Sequence, residues 1–128
     1  MGSDNWGRGY LAINYTQKAR AIIDLNNWCR TNLPTEGSPI AHELSLHIVM
    51  NNDAAPSFGL KQLYSVLPYS EPQLRRHLRR LEQENWVLVN QDAVDARNRH
   101  VAPTEKLLNA YADYFRLVAS AATLLEKE

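Results

Sequence analysis

Residues 60–87 read LKQLYSVLPYSEPQLRRHLRRLEQENWV. Two short helical patterns meet here across Pro68-Tyr69-Ser70. The first, predicted over about Ser57–Leu67, sets Leu60, Leu63, Tyr64 and Leu67 on one side. In the second, Ser70 is followed at the third position by Gln73, a capping-box pattern, and Pro72 falls in the first turn, where its missing N–H is harmless. At about 100° per residue, Leu74, Leu78 and Leu81 lie on one face, and Arg76, Arg79 and Arg80 project from the other with Gln73 and Arg75 flanking. No acidic residue interrupts positions 75–80. The spacing predicts a helix from Ser70 to about Glu84, the second of a helix-turn-helix, with its basic face turned outward.

Asn85 follows that helix and suits a left-handed C-terminal cap. Next comes Trp86-Val87-Leu88-Val89, a β-prone run. A polar loop over 92–98 follows, and Arg99–Ala102 is expected to return as the second strand of a hairpin. Its tip, Asp95-Ala96-Arg97-Asn98-Arg99-His100, is basic. A basic helix face alone is an ordinary solvated surface. A basic face directly after a tight turn and directly before a basic hairpin is the layout of a winged helix-turn-helix.

Such a layout assigns roles by chemistry. The recognition helix enters the major groove, and side chains near its start meet base edges. Arginine forks onto guanine and glutamine pairs with adenine. Gln73 and Arg76 are therefore expected nearest the bases, with Ser70 at the helix start and Arg75, Arg79 and Arg80 on phosphates. In the wing, Arg97 and Arg99 suit the narrow minor groove, with Asp95 positioned to orient one of them by a paired hydrogen bond.

Working outward, Tyr15, Ala19, Ile22, Cys29 and Leu33 recur at helical spacing with Ile23 beside them, and Pro34 and Gly37 end that segment. Ser38 caps a second helix with Pro39 in its first position. Ile40, Ala41, Leu44, Ile48 and Val49 form its expected buried face. At the other end Thr104 caps a long helix to about Leu125, striped by Leu107, Tyr111, Tyr114, Val118, Ala121 and Leu125. The fold class is thus mostly α with one small β-hairpin. A loose arm occupies residues 1–14 and a single winged-helix domain residues 15–128. Within that domain, 38–103 form the DNA-binding core and 15–33 and 104–125 the dimerisation helices. A helix outside a small winged core has little monomer surface to cover its stripe, so pairing across a two-fold axis is expected.

The 128 residues suffice for one core, and 45% of them are apolar. Formal net charge is zero, so attraction to DNA must come from local clustering. The single cysteine, Cys29, excludes an internal disulfide, and its apolar neighbours point to a buried, inert thiol in a reducing cytoplasm. No apolar run approaches the roughly 20 residues of a membrane span, and no secretory signal is read at the start. His42, His47, His77 and His100 lack the spacing of metal ligands, so neither metal nor cofactor is expected. No nucleophile elbow, phosphate loop or HExxH occurs, which argues against an enzyme.

The stretch quoted above, together with DARNRHVAPTEKL at 95–107, resembles the MarR family of winged-helix transcriptional regulators. The resemblance covers most of Tyr15–Leu125. It implies a homodimer built from the first and last helices, with two recognition helices in successive major grooves and the wing Asp-x-Arg at Asp95 and Arg97. The family often has glycine where Asn85 stands and another near Leu107. It also implies an aromatic effector bound between the dimerisation helices and the core, for which Tyr15, Trp28, His47, Tyr111 and Tyr114 are the candidate lining. The expected function is a sequence-specific regulator of double-stranded DNA, a repressor. The alternatives are a protein-interaction winged helix without DNA binding, and a DNA-binding component of a phage or plasmid replication system.

Overall fold

The computed structural model describes residues 14–52, 58–91 and 98–127. In chain order it contains α1 (Tyr15–Asn32), α2 (Pro39–Met50), β1 (Phe58–Gly59), α3 (Leu60–Val66), α4 (Glu71–Gln83), β2 (Val87–Gln91), β3 (Arg99–Pro103) and α5 (Glu105–Glu126). The expected fold class holds: among the described residues, five helices and a hairpin make a winged helix-turn-helix flanked by two long helices. One element was not expected. Phe58 and Gly59 pair antiparallel with Val101 and His100, which makes β3 the centre of a three-stranded sheet in the order β1-β3-β2. A two-residue strand carries no readable alternation, and the predicted start of α3 at Ser57 moves to Leu60 for that reason.

The caps form as their residue types dictate. Ser38 Oγ accepts from the Ala41 N–H above Pro39, and Thr104 Oγ1 accepts from the Leu107 N–H. At α4 the full capping box is present: Ser70 Oγ accepts from the Gln73 N–H, and Gln73 Oε1 accepts from the Ser70 N–H. The helix ends on a Schellman motif, with Trp86 N–H donating to the Leu81 carbonyl and Asn85 N–H to that of Glu82. Asn85 takes φ +64°, the left-handed geometry for which asparagine is the best substitute for glycine.

One core joins these elements. Leu74, Leu78 and Leu81 of α4 meet Leu44 and Ile48 of α2, Leu63 of α3, Val87 and Val101 of the sheet, and Leu107 and Tyr111 of α5. Burying each such leucine contributes about 1.5–3 kcal/mol. Leu107 is fully buried in the first turn of α5, where its side chain fills the core.

The two long helices differ from the simple stripe expected. They run antiparallel, and the Lys18 ammonium donates to the carbonyls of Leu125 and Lys127 at the end of α5. In α1 no residue is fully buried; Ala21, Leu25, Trp28 and Cys29 form the half-buried inner face, whereas Tyr15, Ala19, Ile22 and Ile23 lie on the exposed surface. In α5 burial ends at Tyr111, and Phe115, Leu117, Val118 and Leu125 are exposed. Each helix thus has an inner apolar face used within the chain and an outer one open to solvent.

Leu74 is fully buried between α4 and the core. Leu74→Ala is expected to lower unfolding stability by about 2–5 kcal/mol, read from the urea midpoint at unchanged m-value.

Candidate nucleic-acid interface and the cleft behind it

The leucine face fixes α4 against the core, so its opposite side stands clear. Arg76 and Arg79 are exposed there, and neither forms an ion pair with a carboxylate among the described residues. Arg75 is also exposed but sits 3.3 Å from Glu71 one turn back. At an open surface such a pair is worth little and exchanges readily for another anion. Ser70 is exposed at the helix start. Gln73 is half-buried and its Oε1 is taken up by the cap, receiving the Ser70 N–H at 3.3 Å and the Ser70 hydroxyl at 3.0 Å. Its amide NH₂ alone is left for a ligand.

Arg80 differs from the expectation. Its side chain is only 24% exposed, and Nη2 donates to the Pro34 carbonyl at 2.7 Å. Nη1 lies 3.6 Å from Glu84 and 3.8 Å from Glu36. A helical wheel places Arg80 with Arg76 and Arg79, but the connection between α1 and α2 passes beside this part of α4 and captures the guanidinium. In the wing, Arg99 is exposed at the start of β3, opposite Gln91. Asp95 and Arg97 lie outside the described residues.

The far end of α4 is braced to α5. Thr104 Oγ1 lies 2.9 Å from both the Asn85 and Trp86 carbonyls, and the Lys106 ammonium donates to the Glu84 carbonyl at 2.9 Å. The same ammonium stands 4.0 Å from the centre of the Trp86 ring. A cation on the last carbonyls of a helix also complements its dipole. These contacts tie the end of α4 and the base of the hairpin to the start of α5.

Behind α4 is a cleft of about 280 Å³, walled by Leu25, Cys29 and Arg30 of α1, by Thr35 and Gly37 of the connection, by Ser38, Pro39 and His42 at the start of α2, and by Tyr114 of α5. Of the five residues expected to line a pocket, Tyr114 lines this cleft. Tyr111 is sealed in the core beneath it, with its hydroxyl 3.0 Å from His42 Nδ1 and its ring 5.7 Å from that of Tyr114. Tyr15 stands at the opposite end of α1, about 20 Å along the helix from Trp28 at 1.5 Å per residue. Trp28 and His47 are half-buried and take no part in the cleft. Thr35, Gly37 and Ser38 of its wall were missed because they belong to a connection, where no periodicity operates; Gly37, at φ +78° beside Glu36 at φ +50°, was the available signal.

Burial raises the Tyr111 phenol far above its ordinary range, so it remains a donor at any ordinary pH. Burial lowers the His42 pKa, against a smaller opposing pull from Glu43, which favours a neutral ring able to accept from Tyr111. Burial also raises the Cys29 thiol, consistent with an unreactive cysteine. Among the described residues no three His, Cys, Asp or Glu side chains gather as metal ligands, and no helix is long and apolar enough to cross a membrane.

No protein-family model matches the sequence, and no curated protein matches it. Solved structures do. MarR superposes with a TM-score of 0.60 at 16% identity, over 84% of this chain and 76% of that one. The S. aureus MepR–DNA complex gives 0.59 at 15% identity, over 88% and 82%. The heme sensor protein PefR from Streptococcus agalactiae, in complex with heme, gives 0.60 at 15% identity, over 90% and 82%. The chain has the winged-helix fold of MarR, as its sequence resemblance implied.

His42 supplies a pH test. Its folded pKa is lowered, so the unfolded chain binds the proton first as pH falls. The contribution is fully present above the unfolded value of about 6.5 and is lost as pH falls through the folded value. Stability measured by urea unfolding should therefore drop as pH falls below about 7, and His42→Gln should flatten that slope. An equally steep slope in the variant would remove His42 from this role.

Proposed function

We propose that this protein is a homodimeric, sequence-specific DNA-binding transcriptional regulator of the MarR type, and that it represses by occupying promoter DNA. The observation that carries the reading is the pair Arg76 and Arg79. They are exposed and without a carboxylate partner among the described residues, on the outer side of a helix fixed by three buried leucines. The fold is shared with MarR and with a DNA-bound MepR, which supports the same reading. Arg76 is the base reader, with the Gln73 amide NH₂ beside it. Arg79, Arg75 and Ser70 hold phosphates. Arg99, with Asp95 and Arg97 of the wing, serves the minor groove. Nothing in the roles assigned to these residues calls for catalysis.

The outer faces of α1 and α5 support the dimer. Ile23 is 53% and Phe115 47% exposed, with Ile22, Leu117 and Val118 also open on the same pair of helices. Single exposed hydrophobics are ordinary, but several on two adjacent long helices support an interaction surface. A two-fold pairing covers it and sets two copies of α4 on one side of the duplex. The cleft suits a small aromatic effector, since Tyr114 and His42 offer ring faces and Arg30 a cation. At about 280 Å³ it lies near the lower end of the range for small-molecule sites.

The experiment is titration, by fluorescence anisotropy, of a duplex enriched from a random pool. Arg76→Ala is expected to cost about 1–3 kcal/mol and to relax preference at one base position. Arg79→Ala should weaken all sequences alike and reduce the salt slope by about one. If the Arg76→Ala/Arg79→Ala double variant binds as tightly as the parent, α4 is not the DNA-contacting helix. Retention of a protein partner with no duplex binding at physiological salt favours the interaction-module alternative instead.

The dimer has its own test. Val118→Asp, at an exposed position of α5, should convert the dimer to monomer in sedimentation velocity while leaving the helical circular dichroism unchanged. An unaltered sedimentation coefficient would place the interface elsewhere.

A further inference from the structure

The segment Leu33–Ser38 has two working sides. On one side Pro34 offers its carbonyl to Arg80 in the last turn of α4. On the other, Thr35, Gly37 and Ser38 wall the cleft. The segment is short and stiff: Pro34 and Thr35 are buried, Glu36 and Gly37 are consecutively left-handed, and the Ser38 N–H donates to the Thr35 carbonyl at 2.8 Å. Gly37 also packs closely on α1, since a Cβ there would stand 3.7 Å from Arg30 Cγ. A stiff segment held at both faces passes a displacement on one side to the other.

We propose that Arg80 is a positioning residue and not a phosphate ligand, and that it couples the cleft to the recognition helix through the Pro34 carbonyl. Its Nη2 donates inward to the carbonyl, and its buried Nη1 makes no hydrogen bond among the described residues but lies 3.6 Å from Glu84 and 3.8 Å from Glu36, while Arg76 and Arg79 on the same helix are exposed. An occupant pressing on Thr35 or Gly37 moves the Pro34 carbonyl, and α4 either follows through the guanidinium or loses its hold. The coupling is reciprocal: DNA that fixes α4 also fixes the cleft wall. The consequence for DNA rests on the regulator reading above; the mechanical link does not.

Cys29 is the chain's single cysteine and lines the cleft, so its rate of reaction with a disulfide reagent such as dithionitrobenzoate reports on the wall. In the full-length protein, Arg80→Ala should raise that rate at least threefold by freeing the connection. Thr104→Ala, which removes the α5 cap and its contacts to Asn85 and Trp86 just beyond α4 without touching the connection, controls for a general loss of stability and should leave the rate near that of the parent. Arg80→Lys, which keeps the charge and one donor, should restore part of the protection. A saturating enriched duplex should slow labelling in the parent and not in Arg80→Ala. Affinity of Arg80→Ala for that duplex should fall at least tenfold with its salt slope unchanged.

An Arg80→Ala labelling rate equal to the parent's, or one matched by Thr104→Ala, would overturn the coupling. A salt slope reduced by about one would make Arg80 a phosphate ligand after all. If the parent binds no duplex, the regulator reading fails, and the labelling rates alone still decide whether Arg80 holds the cleft wall.

Discussion

The arrangement depends on the contact between Leu74, Leu78 and Leu81 and the core made by α2, α3, the sheet and α5. Two of these leucines are fully buried and the third nearly so. Because an α-helix has one rotational phase, burying that face fixes the direction of every other side chain on α4. Arg76 and Arg79 are outward as a consequence of the leucines. The capping box at Ser70 and the Schellman turn at Asn85 then fix where the helix starts and stops. Thr104 and Lys106 tie its end to the start of α5.

Most of this was legible in the sequence because periodicity and capping are local. Ser38, Ser70 and Thr104 cap the helices they were expected to cap, and Asn85 adopts its expected left-handed conformation. What escaped was non-local. β1 is two residues long and exists only because β3 lies alongside. Arg80 belongs to the basic face on a helical wheel, but the wheel does not contain the Pro34 carbonyl, which is 46 residues away in sequence. The cleft also escaped: its lining comes from a connection and two helix ends, whereas the expected aromatic set spread along helices that carry those rings in different directions.

The long helices show the same limit in another form. Apolar residues at helical spacing announce that a face will be covered, not what will cover it. In α1 the half-buried set Ala21, Leu25, Trp28 and Cys29 serves the chain itself. The set with Ile22 and Ile23 sits roughly one residue's rotation away and remains open, as do Phe115, Leu117 and Val118 on α5. A single stripe in the sequence thus separates into an inner face, an outer face and, between α1 and the connection, a cleft. Neutral net charge fits the same economy: positive charge is concentrated on one side of α4 and offset elsewhere, so attraction to a polyanion is local.

The central claim is that two copies of this basic helix read double-stranded DNA with sequence preference. Selection of bound duplexes from a random pool by the full-length protein tests it most directly. The account predicts enrichment of an inverted repeat whose half-sites are centred about one helical turn apart, roughly 10 base pairs. A pool that stays random after repeated rounds would contradict it.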